Sequence, residues 1–286
     1  MLQYSALDQF GFLLIEGADA VPFLQGYSTC DLEQLSTTSH TVPTPSRIGA
    51  TCNIQGRMVS SYRVAAVKNG LILRMAAELV PVTMAFLKKY IVFSRASMTD
   101  MTGKLHCTGI FAEQDNLSIL ASPVNAESTN NLLVTTEAEN SYELWCENRL
   151  ALAPDSEEVS QAQWYLAEIN AGIAWVTGAT TEAFIPQMFD YQNKGGISFE
   201  KGCYLGQEIV ARMQYRGELK RRLHRGVIDN GHMPMIGETI LSDSDAHAGD
   251  VVAVASNGGQ TVILAVVKEG VSHCQLANGT AIHFPA

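Results

Sequence analysis

The segment KGCYLGQEIVAR, from Lys201 to Arg212, contains a single thiol in a setting where a cysteine could do chemistry. Cys203 lies between two glycines, which permit tight turns, and directly ahead of a predicted helix over Gln207–Met213. A helix N-terminus and nearby cations both favour thiolate over thiol, the form that attacks a substrate or binds a metal. A buried cysteine in a tight glycine turn has the same spacing, and the pattern leaves both interpretations open.

A second candidate is the pair Trp164 and Glu168, on a helix predicted from Ser160 to about Ala171 and ended by Gly172. The two side chains lie together, away from the helix's apolar stripe of Ala162, Tyr165, Leu166 and Ile169. An indole can stack on a flat heteroaromatic ligand, and a neighbouring carboxylate can accept paired N–H bonds from an amidine-like edge. The alternative is that Trp164 packs against another domain and Glu168 is solvated.

Charge is distributed unevenly along the chain, whose net charge is −10. The segment Lys194–Arg225 has eight basic and three acidic residues, so it carries +5 and the rest carries −15. A basic island on an acidic protein predicts an anionic partner at that place, whereas general coating by nucleic acid is disfavoured because the remaining surface would repel it. A solvated strand and helix face is the alternative.

Composition predicts a soluble cytoplasmic protein. The chain has 286 residues, 47% of them hydrophobic and 17% charged, which is enough for two or three domains. Neither a secretory signal near the N-terminus nor an apolar run of membrane-spanning length is present in the sequence. A monomer is the default expectation.

Several common catalytic and metal-binding patterns do not occur. The six cysteines are far apart, without C-x-x-C or H-x-x-x-H spacing, so the sequence predicts no structural metal and no disulfide framework. Cys30 and Cys52, in apolar segments, are interpreted as structural. Dinucleotide-binding, Walker, nucleophile-elbow and zinc-protease motifs are also missing, which disfavours hydride transfer, phosphoryl transfer and triad hydrolysis.

The elements that must position these residues indicate an α+β protein. Strands are predicted at Phe10–Ile15, Ile48–Asn53 and Met58–Val67, with a helix over Glu78–Tyr90. The acidic stretch Ala153–Glu158 is typical of a linker. From Leu219 onward, short β-rich runs alternate with turns and predict a small C-terminal barrel or sandwich.

The segment GGISFEKGCYLGQEIVARMQYRGELKRRL, Gly195–Leu223, resembles the signature of the YgfZ family, folate-binding proteins similar to the glycine-cleavage T-protein, an aminomethyltransferase. Three further blocks, GADAVPFLQGYSTCDLEQL, SRIGATCNIQGRMVSSYRV and AFIPQMFDYQN, resemble the same family, so the likeness covers nearly the whole chain. The motif core comprises Lys201, Gly202, Cys203, Tyr204, Gly206, Gln207 and Glu208.

This resemblance implies an α+β, T-protein-like ring of three domains with ferredoxin-like layers and a C-terminal β-barrel. Residues 1–45 plus 150–217 would form a folate-binding domain split in sequence. Residues 46–149 would form a ferredoxin-like domain, and residues 218–286 the barrel.

The resemblance also implies a tetrahydrofolate site. Phe10, where the family has tryptophan, and Trp164 would contact the folate, and Glu168 would hold the pterin. Cys203 would be the working thiol within reach of the same cavity.

T-proteins have an aspartate beside the reacting folate nitrogen, where this chain has Ser60 and Ser61, and a hydroxyl is no comparable base near neutral pH. This departure disfavours ordinary aminomethyl transfer. The resemblance to the family instead implies a role in assembly or repair of iron–sulfur clusters in enzymes that thiolate tRNA, with those enzymes as partners. The alternatives are a folate-dependent one-carbon transferase and a tRNA-binding module that uses the basic island.

Overall fold

The computed structural model describes residues 2–36, 42–117, 131–148, 156–229, 231–244, 246–271 and 273–284. Within these ranges the helices are α1 (Ala20–Gln25), α2 (Glu33–Ser36), α3 (Leu79–Ile91), α4 (Gln161–Asn170) and α5 (Gln207–Tyr215). Short 3-10 turns occupy Gln114–Leu117, Pro186–Phe189 and Tyr191–Lys194. In this described part, no helix has the length and apolar content that a bilayer crossing demands.

The first sheet forms the centre of the N-terminal half. Its strands are β2 (Phe10–Glu16), β3 (Ser46–Cys52), β4 (Met58–Val67), β5 (Gly70–Ala76) and β6 (Ser97–Asp100). They run in the order β3-β4-β5-β2-β6 with antiparallel neighbours. All ten residues of β4 are buried, so both faces of the sheet are covered there. Burial on both faces explains why β4 shows no clean alternation of polar and apolar residues.

The second sheet joins distant parts of the chain. Its strands are β1 (Gln3–Ala6), β7 (His106–Phe111), β8 (Asn131–Thr135), β9 (Ser141–Cys146) and β10 (Glu157–Glu158), in the order β10-β1-β7-β9-β8. Residues 157 and 158 of the predicted linker therefore form a strand beside β1, whereas residues 153–155 and the predicted boundary at 149/150 lie outside the described residues. Because β2 pairs with β5 and β6, the first sheet also crosses the boundary predicted at residue 45.

The third sheet forms the predicted C-terminal barrel. Its strands are β11 (Arg221–Ile228), β12 (Thr239–Ser242), β13 (His247–Asn257), β14 (Gln260–Lys268), β15 (Cys274–Leu276) and β16 (Ala281–Ile282), in the order β11-β14-β13-β12-β15-β16. Val227 on the first strand of this order exchanges both backbone hydrogen bonds with His283, next to the last strand. These bonds nearly close the sheet on itself, which removes most of its free edge.

Helix α4 lies against both β1 and the barrel strands β13 and β14. Its start is fixed by Gln163 Oε1, which accepts a hydrogen bond from the backbone N–H of Ser160. At its end Gly172 has φ +66°, and the N–H groups of Gly172 and Ile173 donate to the carbonyls of Ile169 and Glu168. This turn reverses the chain, so the residues after Gly172 run back alongside the helix.

Candidate functional site

A cavity of about 500 Å³ lies between the first sheet, helix α4 and the barrel. Its walls are mostly apolar, and the two carboxylates among them are Glu78 and Glu168. The aromatic and aliphatic wall residues include Phe10, Tyr165, Ile169, Ile173, Trp175 and Val252. Apolar walls with a few fixed polar groups are typical of small-molecule sites. A wider, more open depression has walls of mainly small side chains, from Glu16–Ala18, Ala20, Val21, Ala66–Gly70 and Ser94–Ser97, and shares no lining residue with this cavity.

Glu168 is the polar group held most firmly in this cavity. Its side chain is 5% exposed, and its Oε1 accepts a hydrogen bond from Trp175 Nε1 at 2.9 Å. Burial raises the pKa of this carboxyl group to about 7, although Arg74 and the Trp175 hydrogen bond act in the opposite direction. Burial dominates because the Arg74 guanidinium is 3.9 Å from the carboxylate, beyond hydrogen-bonding distance.

Arg74 lies between two rings that line the cavity. Its guanidinium carbon is 3.9 Å from the centre of the Phe10 ring and 4.2 Å from that of Trp175. Such contacts stabilise a buried cation by cation–π attraction. The arginine therefore fixes both rings, and Phe10 and Trp175 become rigid walls of the cavity.

Behind these rings, Glu143 forms ion pairs with two buried arginines, one of which, Arg63, also pairs with Glu137. Its Oε1 accepts a hydrogen bond from Arg63 Nε at 3.1 Å, and both of its oxygens are bonded by Arg74. Trp145 Nε1 donates to Oε2 at 2.8 Å. Burial acts to raise the pKa of Glu143, but Arg74 and Arg63 outweigh it and lower the pKa to about 2. Glu143 is therefore an anion near neutral pH and bonds directly to Arg63 and Arg74.

Trp164 does not belong to this cavity. Its side chain is 1% exposed and packs on Phe111, with 5.3 Å between ring centres, and on the backbone of Gly109. A Cβ on Gly109 would lie 2.3 Å from the indole, so the glycine makes room for the ring. The expectation that Trp164 offers a free ring face is wrong because α4 is covered on two sides, by β1 and by the barrel.

The ring that the sequence interpretation missed is Trp175. It follows Glu168 by seven residues and lies opposite it because the chain reverses at Gly172. The signal in the sequence was the glycine that ends the predicted helix, followed by the apolar run Ile173–Val176. A return along the helix places that run beside Glu168, whereas helical periodicity considers only residues within the helix.

The motif after residue 200 is a turn stabilised by its own side chains. Lys201 Nζ donates to the backbone carbonyls of Gln25, Ser28 and Cys30 at 2.7, 2.8 and 2.9 Å. Burial lowers the pKa of Lys201 to about 8. The lysine therefore ties the motif to the last residue of helix α1, whose carbonyl has no partner within the helix, and to the loop that follows it.

The glycine and glutamine of the motif fix the start of α5. Gly206 has φ +84°, and a Cβ there would lie 2.5 Å from the carbonyl oxygen of Asn53. Gln207 Oε1 accepts a hydrogen bond from the backbone N–H of Tyr204, whose ring is buried and lies 5.2 Å from Lys201 Nζ. Any other residue at position 206 would be strained and would also collide with the hairpin before β4.

Cys203 is the exposed cysteine of the chain, and the other five, including Cys30 and Cys52, are buried. Cys30 and Cys52 are fully buried, as their structural interpretation predicts, and burial raises the pKa of both thiols. Gly202 and Glu208 are exposed on either side of the thiol. Cys203 precedes α5 as predicted, but it lines none of the described cavities, so the expectation that it shares the Glu168 cavity is wrong.

Comparison with known proteins gives a consistent result. No protein-family model matches the chain. A tRNA-modifying protein YgfZ from Edwardsiella ictaluri is 31% identical over 268 residues, which cover 86% of this chain and 78% of the relative. The protein of the same name from Yersinia pseudotuberculosis is 30% identical over 92% of this chain and 83% of the relative. The chain belongs to the YgfZ family.

A solved structure shows the fold of this YgfZ-family chain. The glycine cleavage system aminomethyltransferase T from Bartonella henselae matches 100% of this chain and 85% of its own, with a TM-score of 0.69. The sequence identity is 13%, so the likeness concerns the fold alone. The predicted α+β, T-protein-like fold is confirmed.

In this YgfZ-family chain, the two serines of β4 are buried on the first sheet. Ser61 Oγ accepts a hydrogen bond from the backbone N–H of Val176 at 2.8 Å, next to Trp175. Ser60 is fully buried as well, and no described residue bonds its hydroxyl. The position where a carboxylate was expected in T-proteins therefore holds a hydroxyl that fixes the backbone beside Trp175.

The basic island of this YgfZ-family chain has an exposed part and an enclosed part. Arg212, Arg216 and Lys220 are exposed, on and after helix α5, and Arg222 is exposed at the rim of a cleft. Lys194 and Arg225 instead face a cleft between helix α4 and the barrel. The segment is therefore more than a solvated face.

Proposed function

We propose that this chain is a tetrahydrofolate-binding accessory protein that supports assembly or repair of iron–sulfur clusters in enzymes that modify tRNA. The observation that carries the folate part is the apolar cavity that Phe10 and Trp175 line together with the buried carboxylate of Glu168. The names of the YgfZ relatives support the tRNA part, and the aminomethyltransferase-like fold supports a folate ligand.

The cavity residues suit a pterin. A pterin is flat and has neighbouring N–H groups on one edge, which a carboxylate accepts as it accepts an arginine fork. Glu168 lines the cavity, while Phe10, Trp175 and the aliphatic side chains of Ile173 and Val252 offer apolar faces and exclude water. Tetrahydrofolate, when bound, supplies a reduced pterin and nitrogens that carry one-carbon groups.

In this proposal Cys203 is the thiol that meets the client enzyme. It is exposed on a turn that Lys201 and Gly206 hold rigidly, so a partner protein can reach it without local unfolding. Its separation from the Glu168 cavity means that folate and the thiol act at different surfaces. The iron–sulfur cluster is then cargo of the client.

Folate binding is tested by titration of tetrahydrofolate, followed by tryptophan fluorescence and calorimetry. Trp175→Phe removes the indole N–H that orients Glu168 and should weaken binding by about tenfold. Trp164→Phe is the matched control, since this ring lies outside the cavity, and it should bind as the unchanged protein does. No heat from the unchanged protein would reject the folate proposal, and a loss confined to Trp164→Phe would reject this cavity.

The accessory role is tested with Cys203→Ala in a strain that lacks the gene. Methylthio-nucleosides in tRNA should fall to the level of the empty strain, while immunoblotting shows equal amounts of protein. Full restoration by the variant would reject a required thiol. Sustained methylene-tetrahydrofolate formation from methylamine donors would instead favour a one-carbon transferase.

A second candidate function is direct contact with tRNA. The exposed cations Arg212, Arg216 and Lys220 favour it, because they lie close in sequence on an acidic protein. Charge reversal of Arg216 and Lys220 should abolish salt-sensitive tRNA binding. Binding that is unaffected by this change would exclude that surface.

A further inference from the structure

A second cleft, of about 370 Å³, lies beside the Glu168 cavity. Its walls come from the end of helix α4, the 3-10 turns at 186–194, and strands β11 and β14 of the barrel. The proposed function assigns no role to this cleft. Its lining includes three cationic side chains, whereas the lining of the neighbouring cavity is mostly apolar.

The lining of this cleft is strongly cationic. Lys194, Arg222 and Arg225 line it, against the single carboxylate of Asp190. That carboxylate already accepts hydrogen bonds from Gln192 and Asn193 at 2.7 and 2.6 Å. The cleft therefore favours an anionic ligand.

Among the described residues, each of the three cations uses only some of its N–H donors in hydrogen bonds or ion pairs. Arg225 Nε donates to Asn170 Oδ1 at 3.2 Å, and Lys194 Nζ donates to the Ala171 carbonyl at 2.7 Å. Arg222 pairs with Glu269, and both side chains are about half exposed, so solvent weakens this pair. Because an arginine has five N–H donors, both guanidinium groups can still bind a carboxylate.

Gln187 adds a neutral acceptor to the cleft. It is 3% exposed, and its Nε2 donates to the Val210 carbonyl at 2.6 Å. Its Oε1 is buried and has no hydrogen-bond partner among the described residues. A buried acceptor without a donor costs free energy, which a ligand N–H would recover. The cleft thus suits a ligand with both carboxylates and an amide N–H.

The cleft is next to the Glu168 cavity. Ile169 lines both spaces, and Asn170 and Gly172 of the cleft follow it directly in the chain. On the barrel side, Leu264 of the cleft is the registered partner of Ala253, which lines the cavity. One elongated ligand with a flat apolar end and an acidic end could therefore occupy both spaces.

We propose that this cleft binds the acidic end of the folate, its p-aminobenzoylglutamate and any further glutamyl residues. Arg222 and Arg225 pair with the glutamyl carboxylates, and Gln187 accepts an amide N–H. The inference rests on the proposed function, since it requires a pterin in the Glu168 cavity. It makes the two arginines specificity residues that distinguish oligoglutamyl folates from free pterins.

Calorimetry with three probes tests this assignment: 6-methyltetrahydropterin, monoglutamyl tetrahydrofolate and an oligoglutamyl tetrahydrofolate. The double variant R222Q/R225Q should bind the oligoglutamyl form at least tenfold more weakly. Its affinity for 6-methyltetrahydropterin should be unchanged, because that probe lacks the acidic end. The control K88Q/K104Q removes the same charge at exposed positions outside the cleft and should leave all three affinities unchanged.

Each other outcome overturns the inference. Equal losses for the pterin and the folates would show a general effect on the cavity, and no loss would show that the cleft is not used. Unchanged folate affinities with weaker tRNA binding would assign the arginines to RNA. A protein that binds none of the probes would refute the proposed function as well, whereas the first three outcomes leave it standing. Should the double variant not fold, the single change Arg225→Gln makes the same comparison.

Discussion

The Glu168 cavity and the Cys203 turn organise their chemical groups in opposite ways. At and behind the cavity wall, three ionisable groups are buried and held by neighbours: Glu143 by two arginines, Arg74 by two rings, and Glu168 by Trp175. At the turn the reactive group is exposed, while Lys201 and Gln207 face inward and hold the backbone. Changes in the cavity should therefore alter stability and binding together, whereas a change of the thiol should leave the fold intact.

Two carboxylates near the same arginine sharpen this contrast. Glu143 bonds directly to Arg63 and Arg74, and its pKa falls to about 2 despite complete burial. Glu168 meets Arg74 only at 3.9 Å and has one indole N–H, and its pKa rises to about 7. Direct hydrogen bonds to cations thus decide whether burial keeps a carboxyl group ionised.

The largest effect is expected for Glu143→Gln. The change removes the carboxylate that bonds both arginines. Arg63 keeps its ion pair with Glu137 at 2.7 Å, but Arg74 is left buried with Glu168 only at 3.9 Å, which should lower the free energy of unfolding by about 3–5 kcal/mol. Urea denaturation at neutral pH measures it. Asp19→Asn is the control, since Asp19 pairs with Arg95 at the surface, where such pairs contribute little. Equal losses of unfolding free energy in the two variants would contradict a large stabilising effect of the Glu143 ion pairs.

The next effect is the pH dependence that Glu168 imparts to stability. Because its folded-state pKa is raised from 4.5 to about 7, the folded protein retains a proton that the unfolded chain releases between those values. The stability contributed by Glu168 is therefore complete below pH 4.5 and is lost as the pH rises through about 7, by roughly 3 kcal/mol in total. Glu143 has the opposite sign: its contribution is present above pH 4.5 and is lost as the pH falls towards 2.

Glu168→Gln isolates this term. The difference in unfolding free energy between the unchanged protein and the variant should fall as the pH rises from 4.5 to above 7, in urea titrations at successive pH values. A difference that stays constant would show that the pKa of Glu168 is the same in the folded and unfolded chain. A difference that grows with pH would show that Arg74 controls Glu168 as it controls Glu143.

Sequence reasoning succeeded where a signal is local and failed where contacts are distant. The helix predicted from Ser160 is confirmed, because the residues that start and end it, Ser160 and Gly172, lie at its own two ends in the sequence. The expected open face of Trp164 was wrong because one apolar stripe was taken as the whole buried surface of α4. Trp175 was missed because it meets Glu168 through a chain reversal. The partners of Lys201 lie about 170 residues earlier in the chain, so no local pattern contains them.

The smallest effects are expected in the Cys203 turn. Two variants there distinguish a residue that stabilises the turn, Lys201, from the exposed thiol of Cys203. Lys201→Met removes the donor to three carbonyls at the end of helix α1 and should lower the free energy of unfolding by about 1–3 kcal/mol. Cys203→Ala removes an exposed side chain and should change it by less than about 0.5 kcal/mol. In the folded protein a thiol reagent should modify one cysteine, and this reaction should vanish in Cys203→Ala while persisting in Lys201→Met. A large loss of stability in Cys203→Ala would mean that the thiol itself stabilises the turn. Cys203 would then have a structural role, as Lys201 has.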